Sequence, residues 1–253
     1  ATVLVATTQR NAPFHENKGM IFGTFYQITY QGNKDLQEDI EKELLKVDNS
    51  LSTFNPRSVI SRVNRNENVE VDDMFARVFQ MAEHVSAETD GAFDITVAPM
   101  VNAWGFGFKS GNIPTRSQLD SLRAIVGFHK VRLEGRRVRK DNPATMLDCS
   151  AIAKGFGCDM VAALLRKNGV KNYMVNIGGE IVTCGVNANR MPWRIGVTKP
   201  TDDSLSVNEE NQTVLNVTDK AMATSGNYRN FYYKDGKKYA HTIDPKTGKP
   251  VQH

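Results

Sequence analysis

Cysteine is scarce in this chain of 253 residues: Cys149, Cys158 and Cys184 are its three, an odd number with no Cys-x-x-Cys pair. A complete disulfide framework is excluded, and buried thiols are expected. No stretch approaches the ~20 consecutive apolar residues of a spanning helix. Internal repeats and Pro/Gly/Ser-rich linkers are also lacking, which favours one domain over a string of modules. Neither G-x-x-x-x-G-K-[ST] nor G-x-G-x-x-G occurs, so a Walker loop and a dinucleotide fingerprint are ruled out. Charge of one sign is mild, at a net +4. It gathers between Thr115 and Lys140, where eight basic residues (Arg116, Arg123, Lys130, Arg132, Arg136, Arg137, Arg139 and Lys140) face Asp120 and Glu134. Without aromatic interleaving or a nucleic-acid motif, that segment reads as a solvated strand-and-turn face.

What is present suffices for a folded core. Hydrophobic residues make up 40% and charged residues 24%, and mean hydropathy is -0.43. Disorder, collagen and coiled coil do not fit. Residues 1–18 are polar and are expected to be an irregular leader or linker; Ala1 to Thr8 carry neither a basic n-region nor a long apolar segment and give no address. From Gly19 a β-branched and aromatic run predicts a strand to Tyr30. Helical periods follow at 35–51 and 73–87, the second stopped by Asp90-Gly91. A third helix is expected from Ser117 to about Val126, capped by Ser117-x-x-Asp120. Strands are predicted at 131–133, 137–139 and 144–147, the last running into a helix that continues to Asn168-Gly169. Further strands fall at 173–177, 181–185, 193–198 and 214–217, and a hairpin at 230–243 turns on Lys234 to Lys237. Helices and strands intermix without βαβ alternation, so the fold class is mixed α/β (α+β), with mixed sheets and flanking helices.

Four stretches carry candidate chemistry. Asp148-Cys149-Ser150-Ala151-Ile152-Ala153-Lys154-Gly155 leads from a strand into a helix through small residues. Backbone N–H groups and the Lys154 charge there suit a phosphate, although an ordinary strand-to-helix turn with a solvated lysine has the same pattern. Gly178-Gly179-Glu180 between strands marks either a bulge or a close approach of something to the backbone. Thr224-Ser225-Gly226-Asn227-Tyr228-Arg229 is a polar loop, followed by His241-Thr242-Ile243-Asp244-Pro245. His241 suits a base or an orienter, although a lone histidine on a strand is more often structural; Asp244 caps a turn. Lastly, Gly91-Ala92-Phe93-Asp94-Ile95-Thr96 with Trp104-Gly105-Phe106-Gly107 could wall a flat heteroaromatic ring or belong to the core.

The order of these pieces is more telling than any one of them. Gly19-Met20-Ile21-Phe22-Gly23-Thr24, Leu51-Ser52-Thr53-Phe54, Gly91 to Thr96, Asp148 to Gly157, Ile177 to Glu180, Thr224-Ser225-Gly226 and His241-Thr242-Ile243-Asp244-Pro245 together resemble the ApbE family over residues 19–253. The resemblance implies a single ApbE-like (T-fold-like) domain that moves FMN from FAD to a threonine of a client protein, releasing AMP with Mg²⁺. It implies FAD contacts at Phe22, Phe54, Ala92, Phe93, Asp94, Asp148, Lys154 and Ile243, a metal-binding carbonyl at Ala151, and His241 as the base. It also implies a client that is a membrane redox subunit and a periplasmic, lipid-anchored location. The family's pattern has a further Asp-x-x-x-Thr segment past the position of His253, so the domain is expected to be C-terminally incomplete. FAD hydrolysis to FMN and AMP, or non-catalytic FAD carriage, are the alternatives this leaves open.

Overall fold

A computed structural model describes residues 11–106, 113–199, 211–225, 231–234 and 236–251. The architecture is mixed α/β, with small antiparallel sheets and, among the described residues, six α-helices. The chain packs as two compact units, neither continuous in sequence. Among the described residues one comprises 11–48, 152–199 and 211–225, the other 49–106, 113–151, 231–234 and 236–251. The division falls inside helix Gln37–Leu51 and near the start of helix Ser150–Lys167.

The first unit is built on a five-stranded antiparallel sheet in the order Phe14–Ile21, Thr24–Gln31, Tyr173–Ile177, Glu180–Cys184, Ala221–Met222. Alternation along the strands puts Tyr26, Ile28, Tyr30, Tyr173, Val175 and Ile177 in one core with Ile40 and Leu44 of one helix and Val161 and Leu165 of the other. Each such side chain contributes ~1.5–3 kcal/mol gross on burial. The Tyr30 hydroxyl accepts from Leu36 N–H (2.6 Å) and donates to Asp35 (3.2 Å). Burial pushes this phenol up to about 12.

Two expectations change here. The polar stretch before Gly19 is strand from Phe14 onward, paired through Phe14↔Gln31 and Ile21↔Thr24. It lies at the sheet edge, where exposed Glu16 and Lys18 are at home. The single strand expected from Gly19 to Tyr30 is broken by a two-residue turn, with Phe22 at φ 52 and Gly23 at φ 72, the left-handed pair of a type I′ hairpin.

In the second unit, helix Asp73–Glu88 is capped by Asp72, which accepts from Phe75 N–H and from Ser50 Oγ, each at 2.8 Å. It buries Phe75, Val78, Phe79 and Ala82. Helix Arg116–Arg123 starts one residue before the expected Ser117, because Thr115 and Gln118 form a reciprocal capping box; Ala124 then ends it. Helices Val59–Asn64 and Ala98–Ala103 were not expected, being too short to show a period. Leu119 joins Met100, Trp104, Val126 and Ile243 in a core. The expected strand at 144–147 belongs to no sheet: the Asn64 side chain, not a neighbouring strand, pairs with the Leu147 backbone. The basic segment is as solvated as expected, with Arg132 and Arg139 on Glu134, Arg132 also on Asp141, Arg136 on Asp73 and Arg137 on Glu70. Among the described residues no helix is long and apolar enough to cross a membrane.

Candidate functional site

In the second unit, three segments far apart in sequence are tied together. Asn64 grips the buried Leu147, its Nδ2 donating to Leu147 O and its Oδ1 accepting from Leu147 N–H, both at 2.8 Å. That fixes the next residue, and Asp148 N–H donates to Ile95 O at 2.7 Å. The 92–95 loop is itself ordered by Asp94. One of its buried carboxylate oxygens accepts from Thr96 N–H and Thr96 Oγ1 (2.7 Å each), the other from Phe128 N–H (2.8 Å). Ala92 is thereby left exposed and Phe93 half-buried. The third segment is the turn after Ile243: Lys246 reaches Asp90 at 2.7 Å, and Trp104 Nε1 donates to Gly248 O at 2.7 Å. Within the turn Gly248 N–H meets Asp244 O, while Asp244 Oδ1 accepts from Lys246 N–H, which is the capping role expected of it.

At the start of helix Ser150–Lys167, Asp148 Oδ1 accepts from Ser150 N–H at 2.7 Å, placing a carboxylate at the positive end of the helix. One of the N–H groups expected to face a phosphate is therefore already engaged. Ala151, in the first turn, is exposed.

The first unit carries the rest. Lys154 Nζ lies 3.3 Å from Glu180 Oε1 and 3.5 Å from Gly178 O. Gly178 and Gly179, expected at a bulge or a close backbone approach, form the two-residue turn joining Tyr173–Ile177 to Glu180–Cys184, at φ 57 and 93. Glycine takes that pair most readily. Space requires it too, since a Cβ on Gly178 would sit 2.7 Å from Thr24 Cγ2. Gly179 N–H is held by Asn176 Oδ1 at 3.0 Å. Phe22, a bulky residue at positive φ, is strained of the kind that clusters at functional sites. Its ring presses on Gly157, where a Cβ would meet Phe22 Cε2 at 3.0 Å.

The residues singled out in the sequence thus divide between the units. Phe22 and Lys154 lie in the first; Phe54, Ala92, Phe93, Asp94, Asp148, Ala151, His241 and Ile243 lie in the second. Phe54 is 75% exposed in the loop before helix Val59–Asn64, whereas the Ile243 side chain is core. His241 is half-buried just after strand Lys237–Ala240. Gly107, Gly226 to Asn230 and Asp235 lie outside the described residues, as does the start of the expected leader. Two of the three cysteines are buried as expected and Cys184 is half-buried; burial pushes the Cys149 and Cys158 thiols up to about 12. Sequence reasoning missed Asn64, a lone asparagine with no local signal, and the Lys154–Glu180 pair, which only the packing of helix on sheet reveals.

The family model described as ApbE matches residues 22–253. A protein of Vibrio cholerae serotype O1 called FAD:protein FMN transferase is 39% identical over 262 residues, covering 99% of this chain and 77% of that protein. The Escherichia coli K12 protein of the same name is 34% identical, over 93% of this chain and 70% of its own length. Among solved structures, the flavin transferase ApbE from Vibrio cholerae superposes with a TM-score of 0.84 at 38% identity, covering 95% of this chain and 79% of that one. The apo flavinyl transferase ApbE of Pseudomonas stutzeri gives 0.83 at 30% identity, covering 95% and 77%.

Proposed function

This chain belongs to the ApbE family, and from that premise we propose that it is a transferase moving FMN from FAD onto a client protein, with a threonine hydroxyl as acceptor. The observation that carries the reading is Lys154, a cation held beside a glycine turn in the first turns of a helix. An ammonium there suits the diphosphate of FAD. The acceptor oxygen attacks the phosphorus that bears the riboflavin half, and the P–O bond to the bridging oxygen breaks. AMP leaves with that oxygen, and His241 takes the hydroxyl proton. Such a transfer depends chiefly on positioning and charge stabilisation. Phe22, Phe54, Ala92, Phe93, Asp94, Asp148 and Ile243 are assigned to FAD. Asp94 orders its loop and Ile243 is core, so both act there through backbone.

Mg²⁺ fits as a partly protein-bound ion. Among the described residues no three His, Cys, Asp or Glu side chains converge to cage a metal. Mg²⁺ keeps several waters and substrate phosphates, so it needs only a few protein oxygens. The carbonyl of Ala151, an exposed residue in the first turn, has a second lone pair beyond its helical bond and would supply one. When bound, the ion would offset charge on the diphosphate. The client is proposed to be a membrane redox subunit, and the enzyme periplasmic and lipid-anchored; these rest on family resemblance and are checked by cell fractionation.

The test is incubation with FAD, Mg²⁺ and a threonine-bearing client, following both client fluorescence on a denaturing gel and AMP. Label on the client with matching AMP is expected. AMP without label would indicate hydrolysis, and bound FAD that persists in Mg²⁺ would indicate a carrier.

A further inference from the structure

Lysine is a flexible point charge with three donors on a four-carbon stem. To stabilise charge on a transferring phosphoryl group it has to be aimed before the reaction, since preorganisation is what makes such a donor effective. In the first unit the Lys154 ammonium faces two acceptors, Glu180 Oε1 at 3.3 Å and Gly178 O at 3.5 Å. Glu180 is the fixed member: its side chain is 13% exposed against 34% for Lys154. Its backbone is held in the ladder opposite Ile177, and its carbonyl accepts from Cys158 Sγ at 3.1 Å. The Cys158 thiol, pushed up to about 12 by burial, stays protonated and keeps donating.

We propose that Glu180 is a positioning residue for the transfer, whose carboxylate, with the Gly178 carbonyl, holds Lys154 so that its remaining N–H points at a phosphate oxygen of FAD. The inference rests on Lys154 meeting the diphosphate. Its consequence is a split between binding and turnover. A carboxylate beside the site disfavours the anionic substrate, so Glu180 weakens FAD binding while it aims the ammonium that speeds transfer.

The experiment measures kcat and KM for FAD in client labelling, with a thermal melt of each variant. Glu180→Ala should lower kcat roughly 10- to 100-fold, part of the ~10²–10³ that a removed charge-stabilising donor costs, without raising KM. Glu180→Gln keeps an acceptor oxygen but loses the charge. It should recover kcat to within about fivefold of wild type and bind FAD more tightly, as a Coulomb term predicts. Should the alanine variant not fold, Glu180→Asp serves: it keeps the charge but withdraws the acceptor by one methylene, and kcat should fall with KM not lowered. Wild-type kcat in folded Glu180→Ala or Glu180→Asp, alongside a crippled Lys154→Ala, overturns the role of Glu180 alone. Wild-type FAD binding and transfer in Lys154→Ala overturns the phosphate assignment beneath it.

Discussion

Replacing Asn64 by alanine removes the clamp that sets the course of the chain into Asp148. Both hydrogen bonds of that clamp, each 2.8 Å, run to the backbone of Leu147, which is fully buried. The variant leaves a buried N–H and a buried C=O without partners, at ~1–3 kcal/mol each, so a loss of about 2–6 kcal/mol is expected. For a chain of this length, at about 2–4 °C per kcal/mol, the melting temperature should fall by roughly 4–24 °C. Asp148 keeps its bond to Ile95, so FAD affinity should drop only about five- to tenfold. Asn64→Asp retains the acceptor for Leu147 N–H but turns an oxygen toward Leu147 O. Its FAD affinity should lie between wild type and alanine. The assay is thermal denaturation by circular dichroism, paired with FAD titration by flavin fluorescence. A stability within ~0.5 kcal/mol of wild type, with unchanged FAD affinity, would refute the clamp.

Three further expectations follow from the same geometry. Gly157→Ala gains ~1 kcal/mol of helix propensity but sets a Cβ 3.0 Å from Phe22 Cε2 and 3.3 Å from Ile177 Cδ1, an overpacking cost of ~1–3 kcal/mol. Stability should fall by no more than ~2 kcal/mol while FAD binding weakens severalfold; unchanged binding on titration removes the Phe22 ring from the site. Burial pushes the Tyr30 phenol from its ordinary value near 10 up to about 12, so the folded state holds its proton where the unfolded state releases it. Its contribution is present below pH 10 and is lost as pH rises toward 12; alkaline unfolding followed by circular dichroism should lose part of its steepness in Tyr30→Phe. Chelation should halt client labelling and added Mg²⁺ restore it, measured on the fluorescent band; labelling that continues in chelator contradicts the assignment of the Ala151 carbonyl to a required metal.

The long amphipathic helices were legible because burial on one face leaves a 3.6-residue period, as in Phe75, Val78, Phe79 and Ala82. The hairpin ending at Ala240 and the ribbon Val131–Glu134 with Arg137–Lys140 were legible from their turns. Short helices such as Ala98–Ala103 were not, because six residues carry less than two periods. Strand Phe14–Ile21 was hidden by its edge position, where alternate side chains face water and the hydrophobic signal fades. For the site, the order of motifs pointed to a family while the roles of single residues stayed open. That the Leu147 backbone is held by an asparagine 83 residues away, or that Lys154 leans on Glu180, is a long-range fact no local window contains. Gly178-Gly179 left a bulge and a close backbone approach open, and the antiparallel pairing of its flanking strands makes it a two-residue turn.

The most direct measurement of the central claim is intact-mass spectrometry of a threonine-bearing client after incubation with this protein, FAD and Mg²⁺. The account predicts a client heavier by one FMN phosphoester, one AMP released per modified chain, and no gain when the acceptor threonine is replaced by alanine. A client of unchanged mass while FAD is consumed to FMN and AMP, or while FAD remains intact, contradicts it.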